Sequence, residues 1–174
     1  MAALTRFVGE GAVEHAARSR SRARWQRQLA IEEGTWAGLL CDLAETGAAT
    51  VIDTHIGRRL QGTIVAVGRD FVTVTTSVGG HVVLASAAIS AIHLAGPTGP
   101  IGRPVAANQT TLSELLAELA VEKPILTWHL TERTSVRGQL QGVGQGFVHL
   151  RVDGTPPSLS YLPLGERTMI GLDG

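Results

Sequence analysis

Apolar positions in this chain switch twice from helical spacing to strand spacing. Trp36, Leu39, Leu40 and Leu43 recur at i, i+3, i+4 and i+7, which predicts a short amphipathic helix. A second stripe with the same spacing consists of Leu112, Leu115, Leu116 and Leu119. Thr111 and Glu114 stand at the spacing of a capping box, which predicts the start of this second helix.

Each helical stripe is followed by short β-branched runs separated by turn residues, which predict five strands per helix. The first set is predicted near 49–55, 58–67, 70–77, 81–85 and 89–94. The second set is predicted near 124–130, 135–143, 147–153, 158–162 and 168–172. Gly68-Arg69-Asp70 and Gly79-Gly80 supply the conformational freedom that tight hairpins need.

The two sets are copies of one framework. A shift of 76 residues carries Gly62 to Gly138 and Phe71 to Phe147, and a shift of 78 carries Leu84 to Leu162. Glycine inside a strand weakens pairing but permits a sharp bend, so the repeated glycine predicts a strongly curved sheet. We therefore expect a mostly β fold with short α-helices, built from two small bent barrels of one helix and five antiparallel strands each.

This pattern divides the chain into four parts. A basic arm occupies 1–30, the first barrel 31–95 and the second barrel 111–174. Residues 96–110 between them are rich in Gly and Pro and are predicted to form a semi-extended linker. Units of about 60 residues are only marginally stable alone, so each barrel is expected to pack against the other or against further subunits.

A helix followed by five strands with a bend glycine in the second strand resembles the Sm-like fold of Sm, LSm and Hfq proteins. The residues that carry the resemblance are Gly57-Arg58-Arg59-Leu60-Gln61-Gly62, Asp70-Phe71-Val72, Val82-Val83-Leu84 and Ala88-Ile89-Ser90-Ala91-Ile92. The second copy resembles the family more loosely, through Val136-Arg137-Gly138, Phe147-Val148 and Tyr161-Leu162-Pro163.

The resemblance implies a bent five-stranded sheet whose fourth and fifth strands pair with neighbouring subunits. Unpaired sheet edges must be covered in any case, so self-association is expected, as a homo-oligomer or as an intramolecular pseudo-dimer. Family members that hold RNA at a ring pore carry a basic pair after strand four. Here Ala85-Ser86-Ala87 and Leu164-Gly165-Glu166 follow that strand, so the family's uridine site is not supported.

The turns between the second and third strands offer a weaker candidate interface. Phe71 or Phe147 could stack on a base, and Arg69 or Gln145 could hydrogen-bond to it. The alternative is that both phenylalanines fill the barrels, as large aromatic residues at strand starts usually do.

Charge is divided unevenly along the chain, although the formal net charge is zero. Residues 1–31 hold six arginines against two glutamates, or +4, and the remainder is −4. The candidate nucleic-acid-binding residues of this arm are Arg18, Arg20, Arg22, Arg24, Trp25 and Arg27. In a helix, Arg20, Arg24 and Arg27 would share one face and could contact phosphates, with Trp25 free to stack. Alternatively, the arm is a solvated or partly disordered leader whose arginines pair with acidic surface on the body.

No catalytic, metal or cofactor site is predicted. His55, His81, His93, His129 and His149 each lack a second His or Cys at i+2 or i+4, and Cys41 is the only cysteine. Asp53 and His55 are the nearest approach to an acid–base pair, without a third group. The absence of a long apolar run or signal peptide predicts a cytoplasmic protein with no membrane partner.

Two hypotheses for function follow. The first is a non-enzymatic, nucleic-acid-associated regulator that contacts RNA or DNA mainly through the arginine arm. The second is a protein–protein interaction or assembly module that does not bind nucleic acid directly. A fold alone does not decide between them.

Overall fold

The computed structural model describes residues 19–96, 99–105 and 108–172. Residues 19–32 form helix α1, followed by α2 (Trp36–Thr46) and, after the first five strands, α3 (Leu112–Leu119). The first strands are β1 (Ala49–Thr54), β2 (Arg59–Val67), β3 (Phe71–Thr76), β4 (His81–Ala85) and β5 (Ile89–Leu94). The second set is β6 (Ile125–His129), β7 (Ser135–Gly144), β8 (Phe147–Val152), β9 (Ser158–Pro163) and β10 (Met169–Leu172).

The predicted mostly β fold with short helices is confirmed, and the strand bounds lie close to those predicted. All ten strands belong to one antiparallel sheet in the order β5-β1-β2-β3-β4-β10-β6-β7-β8-β9. The sheet is not closed, and β5 and β9 are its two edges. The strands therefore form a continuous open sheet, with β4 of the first set joined to β10 of the second.

Both halves of the sheet repeat one register. Val51 faces Gln61 in the first half, and Thr127 faces Arg137 in the second. A bulge between Ile64 and Ala66 recurs between Leu140 and Gly142, again 76 residues later. Bulges bend a strand and increase its twist, so both halves bend at the same position.

The bend requires glycine. A Cβ on Gly62 would overlap the Thr75 carbonyl oxygen, and a Cβ on Gly138 would lie 2.6 Å from the Arg151 carbonyl oxygen. In each half the second strand crosses directly against the backbone of the third, at a distance that leaves no space for a side chain.

One apolar core runs through both halves and beneath the helices. Leu40 and Leu43 of α2 and Leu116 of α3 are buried against it, as the helical stripes predicted. Trp36 departs from that prediction because 45% of it is exposed. The predicted capping box is present, since Thr111 accepts from the Glu114 amide and Glu114 accepts from the Thr111 amide.

The two halves join through more than strand pairing. The Ala85 amide donates to the Thr168 carbonyl oxygen, which extends the β4–β10 ladder by one bond. The Asp70 carboxylate accepts a 2.7 Å hydrogen bond from the Leu112 amide at the start of α3. The Arg69 amide donates to the Thr110 carbonyl oxygen. The β2–β3 turn of the first half thus holds the first turn of α3.

The described part of the linker packs on the first half. The Gly102 amide donates to the Asp42 carboxylate of α2, and the Thr35 amide donates to the Gly102 carbonyl oxygen. These bonds tie residues 99–105 to the start and the middle of α2. No helix in the described ranges is long and apolar enough to cross a membrane.

Candidate nucleic-acid interface

Helix α1 presents the arginine arm to solvent. Arg20, Arg22, Arg24 and Arg27 are all exposed, and Trp25 is 65% exposed. Because residues 19–32 are helical, Arg20, Arg24 and Arg27 fall on one face at i, i+4 and i+7. Arg18 lies outside the described residues. The arrangement supplies a row of cations on one face, and an exposed indole on another part of the same helix.

One contact places this helix against the body of the protein. The Arg27 guanidinium donates to the Gly99 carbonyl oxygen at 3.0 Å. Gln28 and Glu32 form a 3.2 Å side-chain hydrogen bond one turn apart, which supports the helix at its end. The partner of Arg27 in this hydrogen bond is a backbone carbonyl and not a carboxylate.

The β2–β3 turn and the equivalent β7–β8 turn differ in the aromatic surface that they expose to a nucleic-acid base. Phe71 is only 5% exposed and packs in the core, so its ring has no open face for stacking. Phe147, at the same position in the second half, is 39% exposed. Arg69 and Gln145 are both exposed at their turns. A stacking surface at this end of the sheet therefore exists only in the second half.

Phe147 belongs to an aromatic group that the sequence analysis did not find. Its ring centroid lies 6.1 Å from that of Tyr161, and the His149 ring centroid lies 6.0 Å from that of Tyr161. The β8–β9 register sets His149 directly opposite Tyr161. Alternation along the two predicted strands could have placed these side chains on one face, but their register could not be known from alternation alone.

An ion-pair group lies on the outer face of the first half. Asp53 accepts hydrogen bonds from Arg59 at 2.7 and 3.0 Å and contacts His93 Nε2 at 2.9 Å. The hydrogen bonds from Arg59, and then that from His93, lower the pKa of Asp53 from 3.8 to about 2. His55, the candidate partner of Asp53 in the sequence, instead donates its backbone amide to the Ala88 carbonyl oxygen.

No catalytic arrangement emerges from this group. A carboxylate whose pKa is lowered by a hydrogen-bonded arginine is a poor general base near neutral pH. Among the described residues, no three His, Cys, Asp or Glu side chains are placed to hold a metal ion.

No family model, curated protein or solved structure matches this chain.

Proposed function

We propose that this protein is a non-enzymatic, nucleic-acid-associated regulator that binds RNA or DNA through the basic face of α1. The observation that carries the proposal is the exposed helical row of Arg20, Arg24 and Arg27, with Trp25 exposed elsewhere on the same helix. Arginine side chains neutralise phosphates with little dependence on sequence, and an exposed indole can stack on an unpaired base. This chemistry favours single strands over duplexes.

The scaffold of this proposal is a tandem pair of Sm-like halves. Support comes from the strand order, which is fifth-first-second-third-fourth in each half. Further support comes from β4 pairing with β10, a fourth strand with a fifth, as the Sm-like resemblance implies for neighbouring subunits. The shared bulge and the glycine bend add to this interpretation.

A titration of the full chain with a labelled single-stranded RNA, and with DNA of the same sequence, tests the proposal across a series of salt concentrations. The double variant Arg20→Gln/Arg24→Gln removes two cations from the proposed face. If both contact phosphates, the log–log salt slope should become shallower by about 1.4, at about 0.7 per contact on a single strand.

The matched control is Arg133→Gln/Arg167→Gln, which removes the same charge from exposed positions of the second half. This control should retain most of the affinity and slope of the unchanged protein. Equal losses in both double variants would show non-specific attraction and would contradict a role for α1. Absence of binding at low salt would contradict the whole proposal.

The alternative is a protein-binding module, and one surface favours it. The outer face of the first half forms a concavity of about 720 Å³, lined mainly by small and apolar side chains that include Ala49, Val51 and Val65. No binding to either nucleic acid, together with a stoichiometric protein partner that survives nuclease treatment, would favour this alternative. The nucleic-acid-binding proposal and the protein-binding alternative both place the protein in the cytoplasm. The single unpaired Cys41 supports this location.

A further inference from the structure

The outer face of the first half contains a concavity that nucleic-acid binding through α1 does not use. It lies across four neighbouring strands, β5, β1, β2 and β3, and has a volume of about 720 Å³. Small-molecule sites in proteins usually have volumes of about 300 to 1,000 Å³. We propose that this concavity binds a neutral, flat aromatic or heteroaromatic molecule that carries at least one hydrogen-bonding group.

The lining combines an apolar floor with hydrogen-bonding side chains on either side. Ala49 and Val51 lie on β1, and Val65 on β2 is 50% exposed although its side chain is apolar. Val51 pairs with His93 of β5 on one side and with Gln61 of β2 on the other. A flat ring placed on these methyl groups would remove apolar surface from water, and its polar group would meet Gln61 or His93.

The charges around the concavity favour a neutral ligand. None of the described residues that line it is Asp, Glu, Lys or Arg, and His93 is the only titratable residue among them. His93 Nε2 lies 2.9 Å from the Asp53 carboxylate, which also accepts two hydrogen bonds from Arg59. These charged groups are therefore paired with one another. Because burial of a charge without a partner is costly, a phosphate or sulfonate would bind poorly here.

The second half shows that the fold does not require this lining. Arg151 takes the place of Thr75, and Gln141 takes the place of Val65. The Gln141 side chain donates to that of Gln139 at 3.0 Å. The same strand pairing and the same bulge thus form beneath long polar side chains. Small and apolar residues on the outer face of the first half are consequently not needed for the sheet, and exposed apolar surface of this kind is typical of a binding site.

The size of this surface favours a single small molecule over a protein. Neighbouring strands lie about 4.8 Å apart and residues rise about 3.3 Å along a strand, so four strands and positions 61 to 65 span about 14 by 13 Å. This footprint is roughly 180 Å², whereas each partner of a stable protein complex buries about 800 Å². A protein partner would therefore need contacts well beyond the rim of the concavity.

A titration of the full chain with prodan, a neutral naphthalene ketone, tests the proposal. Prodan emission shifts to the blue in apolar surroundings, and we expect saturable binding of one molecule per chain. Anilinonaphthalene sulfonate, an anion of similar size, should bind about tenfold more weakly because its charge would have no partner. Equal affinity for the two probes would show a general apolar surface and would overturn the proposal.

Two variants place side chains of the second half over the concavity. Val65→Gln and Thr75→Arg should each weaken prodan binding by about tenfold, because a polar group or a cation would then displace the ring or be buried by it. The matched controls Val121→Gln and Ser158→Arg add the same side chains at exposed positions elsewhere and should leave the affinity unchanged. Circular dichroism checks that all four variants fold. Equal prodan affinity in the four variants would overturn the proposal.

Amide chemical shifts of the isotope-labelled protein locate the bound probe. Prodan should shift the amide signals of Val51 and Gln61, and should leave those of the equivalent residues Thr127 and Arg137 in place. Shifts confined to α1 or to the surroundings of Phe147 would show that the probe binds another exposed aromatic side chain. That result would overturn the proposal.

Other occupants of the concavity give different results. If a second copy of this chain covers it, the mass measured by light scattering should rise with concentration while the affinity for prodan falls. A purified protein partner whose binding is lost in Val65→Gln, but which prodan does not displace, would show a protein site. Either outcome would overturn the proposal, as would the absence of saturable prodan binding. These measurements contain no nucleic acid, so their outcome is independent of whether α1 binds RNA or DNA.

Discussion

Phe71 and Phe147 begin equivalent strands with equivalent pairing, yet one ring is buried and the other is open to solvent. The two residues have the same intrinsic preference for a strand and the same hydrophobicity. Their burial differs because the second half packs beside the Asp70–Ala85 end of β3 and β4, where Phe71 lies, whereas Phe147 contacts Tyr161 of its own half and stays 39% exposed. At the scale of single residues, the packing around a side chain therefore decides whether it is a core residue or is exposed and able to contact a ligand.

The Asp53 carboxylate gives a prediction for pH dependence. Its pKa in the folded protein is about 2, below the ordinary value of 3.8, mainly because Arg59 hydrogen-bonds to the charged form. A depressed carboxylate pKa stabilises the fold above the ordinary pKa, and this contribution is lost as pH falls from about 4 to about 2. Asp53→Asn should therefore flatten the fall in the free energy of unfolding across that range, measured by urea denaturation.

Arg59→Gln provides the companion measurement, because it leaves the carboxylate but removes its strongest hydrogen-bond donors. It should flatten the same part of the pH profile. An unchanged steepness in both variants would show that other groups produce the acid sensitivity. Because solvent screens this exposed group, the change in slope and the matching loss of stability at neutral pH should both be modest.

At the scale of elements, the bent second strand is the feature that both halves share most closely. The bulge after Ile64 and the bulge after Leu140 lie near a glycine that contacts the backbone of the next strand. Binary patterning predicted the strand and glycine predicted the bend. The bulge itself could not be predicted, because an extra residue in one strand is defined only relative to its partner.

Gly62→Ala tests how strictly this bend is required. The added methyl group would overlap the Thr75 carbonyl oxygen, which is part of the ladder and cannot move without breaking pairing. We expect a loss of about 1 to 3 kcal/mol in the free energy of unfolding, the usual range for overpacking. Thermal or urea denaturation measures it.

Gly165→Ala is the matched control, since a Cβ there meets nothing within 4 Å and the backbone is not left-handed. This change should be nearly neutral. If Gly62→Ala were equally neutral, the close crossing of β2 and β3 would not be a constraint on this fold.

At the scale of the whole molecule, the junction of β4 and β10 makes one sheet out of two repeats. Met169 and Ile170 on β10 are buried, and so are Val83 and Leu84 opposite them. Each half alone would expose this apolar strip and would bury only a small core. The halves should therefore unfold together.

Ile170→Ala tests this coupling, because Ile170 faces Val83 of the first half and Trp128 of the second. Truncation of a fully buried isoleucine should cost about 2 to 5 kcal/mol. Hydrogen exchange should show faster exchange in β3 as well as in β7, since both strands would open in the same transition. Faster exchange confined to the second half would show that the halves unfold independently.

Val121→Ala serves as the control for this measurement. Val121 is highly exposed after α3 and makes no part of the junction. Surface changes of this kind usually alter stability by less than about 0.5 kcal/mol. The exchange rates of both halves should stay unchanged.

The sequence by itself determined α2 and α3, the strands, their repetition and the bend, whereas only the structure showed that residues 19–32 are helical. The spacing of Leu39, Leu40 and Leu43, the capping pair Thr111–Glu114 and the glycines at 62 and 138 are local features whose physics acts over a few residues. It also singled out the arginines between residues 18 and 27, because unpaired charged side chains stay in contact with solvent.

Only the tertiary structure decided which strands meet. It joined β4 to β10, brought His93 to Asp53 in place of His55, and set Tyr161 beside Phe147. These contacts depend on pairing between segments that lie far apart in the chain, and alternation along one strand does not specify the partner or the register of that pairing. For the same reason, only the structure showed that Trp36, Phe147 and Tyr161 are exposed where their counterparts are covered.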